Sequence, residues 1–333
     1  MKILNRELLN EKYPNVNNQD SIDFSNNDFE IVQQETFNLL EGLLSINLSK
    51  NKIKELKPQL FNGLISLNNL NLSDNQISSL DHRLLQGLNN LSQIYFANNL
   101  ITKIDDYFFK AFENQNRDDS LINKEFKKLA NLITIDFSNN IISEIEEYAF
   151  NGLTNLISLK LNNNKFKNIR CQFQTLKNLT ELNLQNNSIE NINGSYFGDL
   201  KNLKHLCLSN NNLKETTERQ FHFLYSLELL DLDYNQIKEI HPDSFRGLTK
   251  LINLKLNNND FNDILINQKL FIYLENSVKF VSIKDSSTIN NFDQNNIINK
   301  RLLNKDETIA ENLVPRVIIF YVTYLNYYFF FKF

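Results

Sequence analysis

The sequence predicts an α/β-type solenoid, a horseshoe with a concave parallel β-sheet and an irregular, phenylalanine-spined convex side. Three observations carry that expectation. An asparagine recurs at Asn27, Asn51, Asn75, Asn99, Asn140, Asn164, Asn187, Asn211, Asn235 and Asn259, in steps of about 24 residues with one of about 41 and one of about 23. These asparagines close the phrase Leu-x-x-Leu-x-Leu-x-x-Asn, as in Leu67, Leu70, Leu72, Asn75 or Leu227, Leu230, Leu232, Asn235. An aromatic follows about ten residues on, at Phe37, Phe61, Phe109, Phe150, Phe197, Phe221 and Phe245, with Phe173 one place early.

Each element follows from the phrase in turn. Leu-x-Leu alternates like a strand, with leucines turned inward and the residues between them turned out. One strand per turn of the coil builds a continuous parallel sheet. Where the chain leaves that strand, backbone N–H and C=O groups would be buried without partners, each at a cost of roughly 1 to 3 kcal/mol. Asparagine offers donors and an acceptor at short reach, which leucine lacks and glutamine overshoots. The ten asparagines are therefore read as a structural ladder. Beyond them come apolar positions such as Ile53 and Leu56, or Ile237 and Ile240. The phenylalanines then stack along the convex side. Glycine recurs at Gly63, Gly87, Gly152 and Gly247, and Pro58 and Pro242 share one slot. Repeat turns thus absorb most of the seven glycines and leave none for a phosphate loop.

The chain divides into an N-terminal flank, residues 1–18, a repeat region, residues 19–290, and a tail, residues 291–333. Gln19 stands where the first leading leucine belongs, as expected of a terminal unit whose outer side faces water. Val278, Val281 and Ile283 keep the strand spacing, with Ser286 in the asparagine slot, and read as a degenerate closing repeat. The long step between Asn99 and Asn140 contains a polar stretch, residues 113–124, that reads as a loop bulging from the coil. Phe109 and Phe126 compete for its aromatic slot. In the tail, Val317 to Phe331 carries no charge but is shorter than the roughly 20 residues a spanning helix needs. A short membrane anchor or processed lipid-anchor signal, an apolar segment docked on the last repeat, and translated non-coding sequence all fit it. Residues 1–16 contain no uninterrupted apolar core of signal-peptide length.

Charge and cysteine usage narrow the function classes. The net charge of -4, with no basic stripe, argues against a general nucleic-acid or anionic-membrane binder. Cys171 and Cys207 occupy slots on different sides of the coil, so no disulfide is expected between them. Free thiols fit a reducing compartment.

The repeat unit, seen whole in Leu67 to Leu88 apart from Leu85 in the phenylalanine slot, resembles the typical subfamily of leucine-rich repeats. The resemblance covers about three quarters of the chain. It implies extracellular and receptor proteins that bind other proteins, such as Toll-like receptor ectodomains, chaoptin-like adhesion proteins and Slit-like guidance proteins. Two departures stand beside it: cysteine-rich caps are missing at both ends, and so is a recognisable signal peptide.

A catalytic reading fails on the residues. Strand register places Cys207, Asp231 and Lys255 in one outward column, with His205 and Asp233 two residues along their strands. Same-face neighbours on one strand lie roughly 7 Å apart, the face is open to water, and no oxyanion donors converge there. No spacing matches a metal-ligand motif. No catalytic residue, metal or cofactor is therefore expected.

The same positions suit binding better. Much of the sheet face is bland, as at Asn47, Asn69, Asn71, Ser158 and Asn183, and Tyr95 stands there alone. Toward the C-terminal end, His205, Cys207, Leu229, Asp231, Asp233, Tyr234 and Lys255 make a mixed apolar and charged patch. Such a patch suits a protein ligand or receptor, the carboxylates favouring a basic segment. Sequons at Asn47, Asn71, Asn90, Asn178 and Asn193 arise readily in so asparagine-rich a chain, and a glycan on Asn47 or Asn71 would obstruct the sheet face. The function expected is a non-enzymatic protein-binding module: a cell-surface or secreted recognition, adhesion or receptor-like protein acting through its concave face. A cytoplasmic scaffold is the alternative. No nucleic-acid partner is expected, and membrane association would come through the apolar tail.

Overall fold

A computed structural model of the chain describes residues 1–111, 127–241, 243–261, 280–282 and 318–320. Each Leu-x-Leu or its equivalent becomes a short strand. These are β1 (Ser21–Asp23), β2 (Ser45–Asn47), β3 (Asn69–Asn71), β4 (Gln93–Tyr95), β5 (Thr134–Asp136) and β6 (Ser158–Lys160). They continue as β7 (Glu181–Asn183), β8 (His205–Cys207), β9 (Leu229–Asp231), β10 (Asn253–Lys255), β11 (Phe280–Ser282) and β12 (Ile318–Phe320). In chain order they form one 12-stranded sheet. Its pairs are parallel, and Leu70, Ile94, Ile135, Leu159 and Leu182 stand opposite one another on successive strands. All five are buried. A slip of one residue would turn them out to water, and each is worth roughly 1.5 to 3 kcal/mol of burial.

The exit from each strand explains the asparagines. The Nδ2 of Asn164 donates to the carbonyl of Phe137 in the preceding repeat at 3.0 Å and to that of Leu161 at 3.1 Å, while its Oδ1 accepts from the Ile142 N–H at 3.0 Å. Asn75 makes the same set with Leu48, Leu72 and Ile53, and Asn235 with Leu208, Leu232 and Leu213. Asn27, in the first repeat, has no preceding strand of this sheet to hold, and its amide nitrogen donates to Ser25 within its own turn.

A second asparagine slot went unread in the sequence. The residue just before each ladder asparagine has a left-handed backbone, from Asn26 (φ 57°) to Asn258 (φ 54°), and seven of these ten slots hold asparagine. Asparagine tolerates that conformation better than most residues with a Cβ. Hence the recurrent Asn-Asn pairs: the second residue satisfies the backbone and the first bends it. Lys50, Asp74 and Tyr234 are the exceptions.

On the convex side Phe37 stacks on Phe61 at 5.7 Å, Phe150 on Phe173 at 6.2 Å and Phe221 on Phe245 at 5.9 Å. Leu85 interrupts the run after Phe61. Phe109 takes the aromatic slot of the long repeat and packs on Phe150 at 5.8 Å. The four recurrent glycines all have positive φ. At Gly247 a Cβ would lie 2.8 Å from the His222 carbonyl oxygen, so a side chain has no room there.

The N-terminal end departs from expectation. The first repeat does not present its outer side to water, because Lys2–Leu4 pairs in parallel with Phe29–Val32 and the helix Arg6–Lys12 follows it. Asn5 caps that helix by accepting the Leu8 N–H at 2.9 Å. Leu4, Leu9 and Val16 are buried with the end of the core, which includes Phe24 and Phe29. The flank is thus a cap built without cysteine, and it shields aromatic surface that a bare first repeat would expose.

At the other end β11 pairs with β10, and β12 pairs with β11. So the part of the apolar tail that is described, Ile318–Phe320, adds a strand to the sheet. The rest of the 317–331 segment, the 113–124 stretch, and Val278, Ile283 and Ser286 lie outside the described residues. Among the described residues, no helix is long and apolar enough to cross a membrane.

Candidate functional site

The C-terminal patch is built by three neighbouring strands. Register brings Cys207, Asp231 and Lys255 into one outward column, and His205, Leu229 and Asn253 into another. That is the expected arrangement. Its electrostatics are more self-contained than isolated carboxylates would be, because Lys255 Nζ sits 3.2 Å from Asp231 Oδ2. Burial opposes the charge on Lys255, but the attraction of Asp231 and its hydrogen bond outweigh it and raise the ammonium above its usual range. The other Asp231 oxygen accepts the Asp233 N–H at 3.1 Å, closing a turn at the strand exit.

Asp233 is engaged as well. It accepts the Asn257 backbone N–H at 2.6 Å and the Asn257 side-chain amide at 3.2 Å. Burial, which these two bonds only partly offset, raises its carboxyl above the ordinary carboxylate value. The expected open negative field is therefore muted: one carboxylate is paired with lysine and the other is clamped by Asn257. Sequence reading missed Asn257, although its place one repeat after Asp233 was a signal available in the register.

Tyr234 stands in the left-handed rim slot, φ 54°, with 55% of its surface exposed. The patch is thus a strip running from the half-buried Leu229 across the Asp231–Lys255 pair to an aromatic ring on the rim. His205 is exposed at its edge.

Cys207 is a poor nucleophile in this setting. Burial first, and the Asp231 carboxylate second, push its thiol up to about 11. It stays protonated at neutral pH, the opposite of what thiol catalysis needs. Among the described residues no group of histidine, cysteine, aspartate and glutamate is arranged to hold a metal.

The N-terminal half of the face is less empty than it reads in sequence. Tyr95 OH donates to Gln93 Oε1 at 3.1 Å, and Asn69 Nδ2 donates to the same oxygen at 2.7 Å. Burial, then the nearby Asp136, raise the Tyr95 hydroxyl above its usual value. These side chains satisfy one another and present a flat polar surface.

Comparison with known proteins fits this geometry. The sequence profile of the leucine rich repeat matches residues 20–77, 114–166, 177–237 and 208–261, together more than half of the chain. No curated protein sequence matches it. Among solved structures, the TLR13–ssRNA13 complex holds a chain 24% identical, with a TM-score of 0.64 over 86% of this chain and 42% of that one. The octameric complex of latrophilin 3, Unc5D and FLRT2 (LRR) gives 22% identity and a TM-score of 0.65 over 80% of this chain and 75% of that one. The Drosophila Toll–Spätzle complex gives 22% and 0.60 over 80% of this chain and 38% of that one. At these identities the likeness is one of fold. The chain spans less than half the length of the TLR13 and Toll chains.

Proposed function

Because the chain belongs to the leucine-rich repeat family, we propose that it is a non-enzymatic protein-binding module, acting at the cell surface or as a secreted protein through the C-terminal strip of its concave face. Tyr234 carries this reading. A bulky aromatic occupies a left-handed slot that asparagine fills in seven of ten repeats, and its ring is exposed at the rim end of the strip that begins at Leu229. Strain kept at a surface where a small polar residue would serve the fold better is a mark of function. Exposed aromatic anchors are where binding energy concentrates.

Protein is the favoured partner class. Toll was solved with Spätzle, and FLRT2 with latrophilin 3 and Unc5D. TLR13 was solved with RNA, so the fold by itself admits nucleic acid. Here the net charge of -4 and the carboxylates of the strip favour protein. The same fold relatives favour an extracellular setting. A cytoplasmic scaffold is the second reading, favoured by the free Cys207 thiol on the binding face and by an N-terminal cap without cysteine. An in-frame signal peptide upstream of Met1 in the transcript decides for the first, an in-frame stop codon for the second.

The binding test uses the full chain as bait on material from its own source. Wild-type protein should retain a partner that Tyr234→Asn and Asp231→Ala release. Equal retention by both variants moves the site off this strip.

A further inference from the structure

A second surface runs along the side of the sheet, where each repeat turns up into its strand. A groove of about 710 Å³ crosses six repeats there, from the turn before β5 to the turn before β10. Its two ends differ in chemistry. At one end Ile133 and Ile157, on adjacent repeats, are 39% and 42% exposed. At the other end Lys204 and Lys250 line it. Glu228, which also lines the groove, pairs with Lys204 at 3.4 Å, and Lys250 makes no ion pair among the described residues.

A further asparagine row runs along the groove. Asn131, Asn178 and Asn202 each donate Nδ2 to a carbonyl of the preceding repeat, at 2.7, 2.9 and 2.9 Å. Those bonds fix the amide planes without using the Oδ1 acceptors. The row is therefore rigid, polar and ready to accept N–H groups. Five repeat steps of roughly 4.8 Å give about 24 Å, the reach of about seven residues in extended conformation.

We propose that this flank groove binds an extended segment of a partner polypeptide, aliphatic at the end that meets Ile133 and Ile157 and acidic at the end that meets the lysines. The groove is independent of the concave strip. An acidic glycan or nucleic acid would use the lysines and gain nothing from the isoleucines, whereas a peptide uses both and can donate its backbone N–H groups to the asparagine row.

The probe is a phage-displayed library of random nonapeptides, selected on the full chain made in bacteria so that the Asn178-Leu-Thr180 sequon stays bare. Selected peptides should carry aliphatic residues at alternate positions followed by aspartate or glutamate. Fluorescence polarisation of a selected peptide should show about tenfold weaker binding to the Ile133→Ser, Ile157→Ser pair. The Lys204→Glu, Lys250→Glu pair should weaken it at least as much, and more in 50 mM than in 500 mM salt. Tyr234→Asn should leave it unchanged, which separates this groove from the concave strip. The proposal is overturned if selection yields no such pattern, if either pair of replacements leaves binding intact, or if heparin competes through the lysines while the isoleucine pair has no effect.

Discussion

The repeats that begin at Leu67 and Leu227 share a frame and differ in what they show to solvent. Both place a ladder asparagine, Asn75 or Asn235, on the carbonyl of the preceding repeat at 3.0 Å. Both close the strand exit with the outward side chain, Asn71 Oδ1 accepting the Ser73 N–H at 3.0 Å and Asp231 Oδ1 the Asp233 N–H at 3.1 Å. The first repeat presents Asn69, Asn71, Ser73 and Asp74; the second presents Leu229, Asp231, Asp233 and Tyr234 at the same slots. The difference teaches where the fold's requirements stop. Asn71 and Asp231 both serve the turn, so an acid at that slot costs the fold nothing, but no turn requires an apolar side chain at Leu229 or an aromatic one in the left-handed slot of Tyr234.

The sharpest break of this frame is at the ladder. Asn164→Leu removes donors from the Phe137 and Leu161 carbonyls and the acceptor from Ile142 N–H, leaving buried groups unpaired. It should destabilise the chain by about 3 to 5 kcal/mol. The neighbouring Asn163→Leu, in the rim slot at φ 58°, should cost about 1 to 2 kcal/mol rather than nothing, because leucine resists the left-handed region. Urea unfolding midpoints rank the two. Equal midpoints would show that the two asparagine slots are not distinct.

The next effect separates the two faces. Tyr234→Ala or Asp231→Ala should weaken partner binding by about 1 to 3 kcal/mol, and Asn71→Ala by less than about 0.5. Asn71→Ala is a matched control, since it loses the same turn bond as Asp231→Ala without touching the strip. Only Asp231→Ala should change the salt dependence of the association rate, and modestly, since Lys255 already sits beside that carboxylate. Surface-captured binding kinetics read both quantities. An Asn71→Ala loss as large as that of Asp231→Ala would assign the effect to the turn.

What could be read from the sequence follows from period. A leucine or asparagine that returns at a fixed step reports a backbone need shared by all repeats, so the sheet, the ladder and the turn glycines were legible. So was the column of Cys207, Asp231 and Lys255, because register in a parallel solenoid follows from the step. Features without a period were not. The N-terminal cap depends on single residues, Leu4, Leu9 and Val16, meeting an exposed core end. The clamp of Asn257 on Asp233 and the rim position of Tyr234 depend on backbone angles that composition does not reveal. The rim asparagines were hidden for the opposite reason: beside a stronger signal, the first member of each Asn-Asn pair looked like compositional bias.

Tyr234 allows the comparison to be sharpened in the stabilising direction. Tyr234→Asn restores the commonest rim residue and should raise stability by about 0.5 to 1 kcal/mol while binding falls. The reciprocal Asp74→Tyr should lower stability in the first repeat without creating binding. Thermal unfolding of the two variants is the measurement. A destabilised Tyr234→Asn would mean that the ring packs for the fold rather than for a partner.

The smallest effect lies six residues past the ladder, where the two repeats again use one geometry with different chemistry. In the first, Asp81 Oδ1 accepts the Arg83 N–H at 2.8 Å; in the second, His241 Nδ1 accepts the Asp243 N–H at 3.1 Å. Only the first adds an ion pair, with Arg83 Nη2 2.8 Å from Asp81 Oδ2. The Arg83 side-chain hydrogen bond, against the opposing effect of burial, lowers the Asp81 carboxyl from 3.8 to about 2. A depressed folded-state value means that the unfolded chain binds the proton more tightly. The stabilisation is therefore present above about pH 3.8 and is lost as pH falls toward 2. Arg83→Gln should lower the urea midpoint slightly at pH 6, and the gap should shrink as pH falls toward 2. In an Asp81→Asn background, which keeps an acceptor for the Arg83 N–H but removes the titrating group, Arg83→Gln should show no pH-dependent gap. A gap as large at pH 2 as at pH 6, or one that survives in that background, would assign the effect of Arg83 to packing of its stem rather than to its charge.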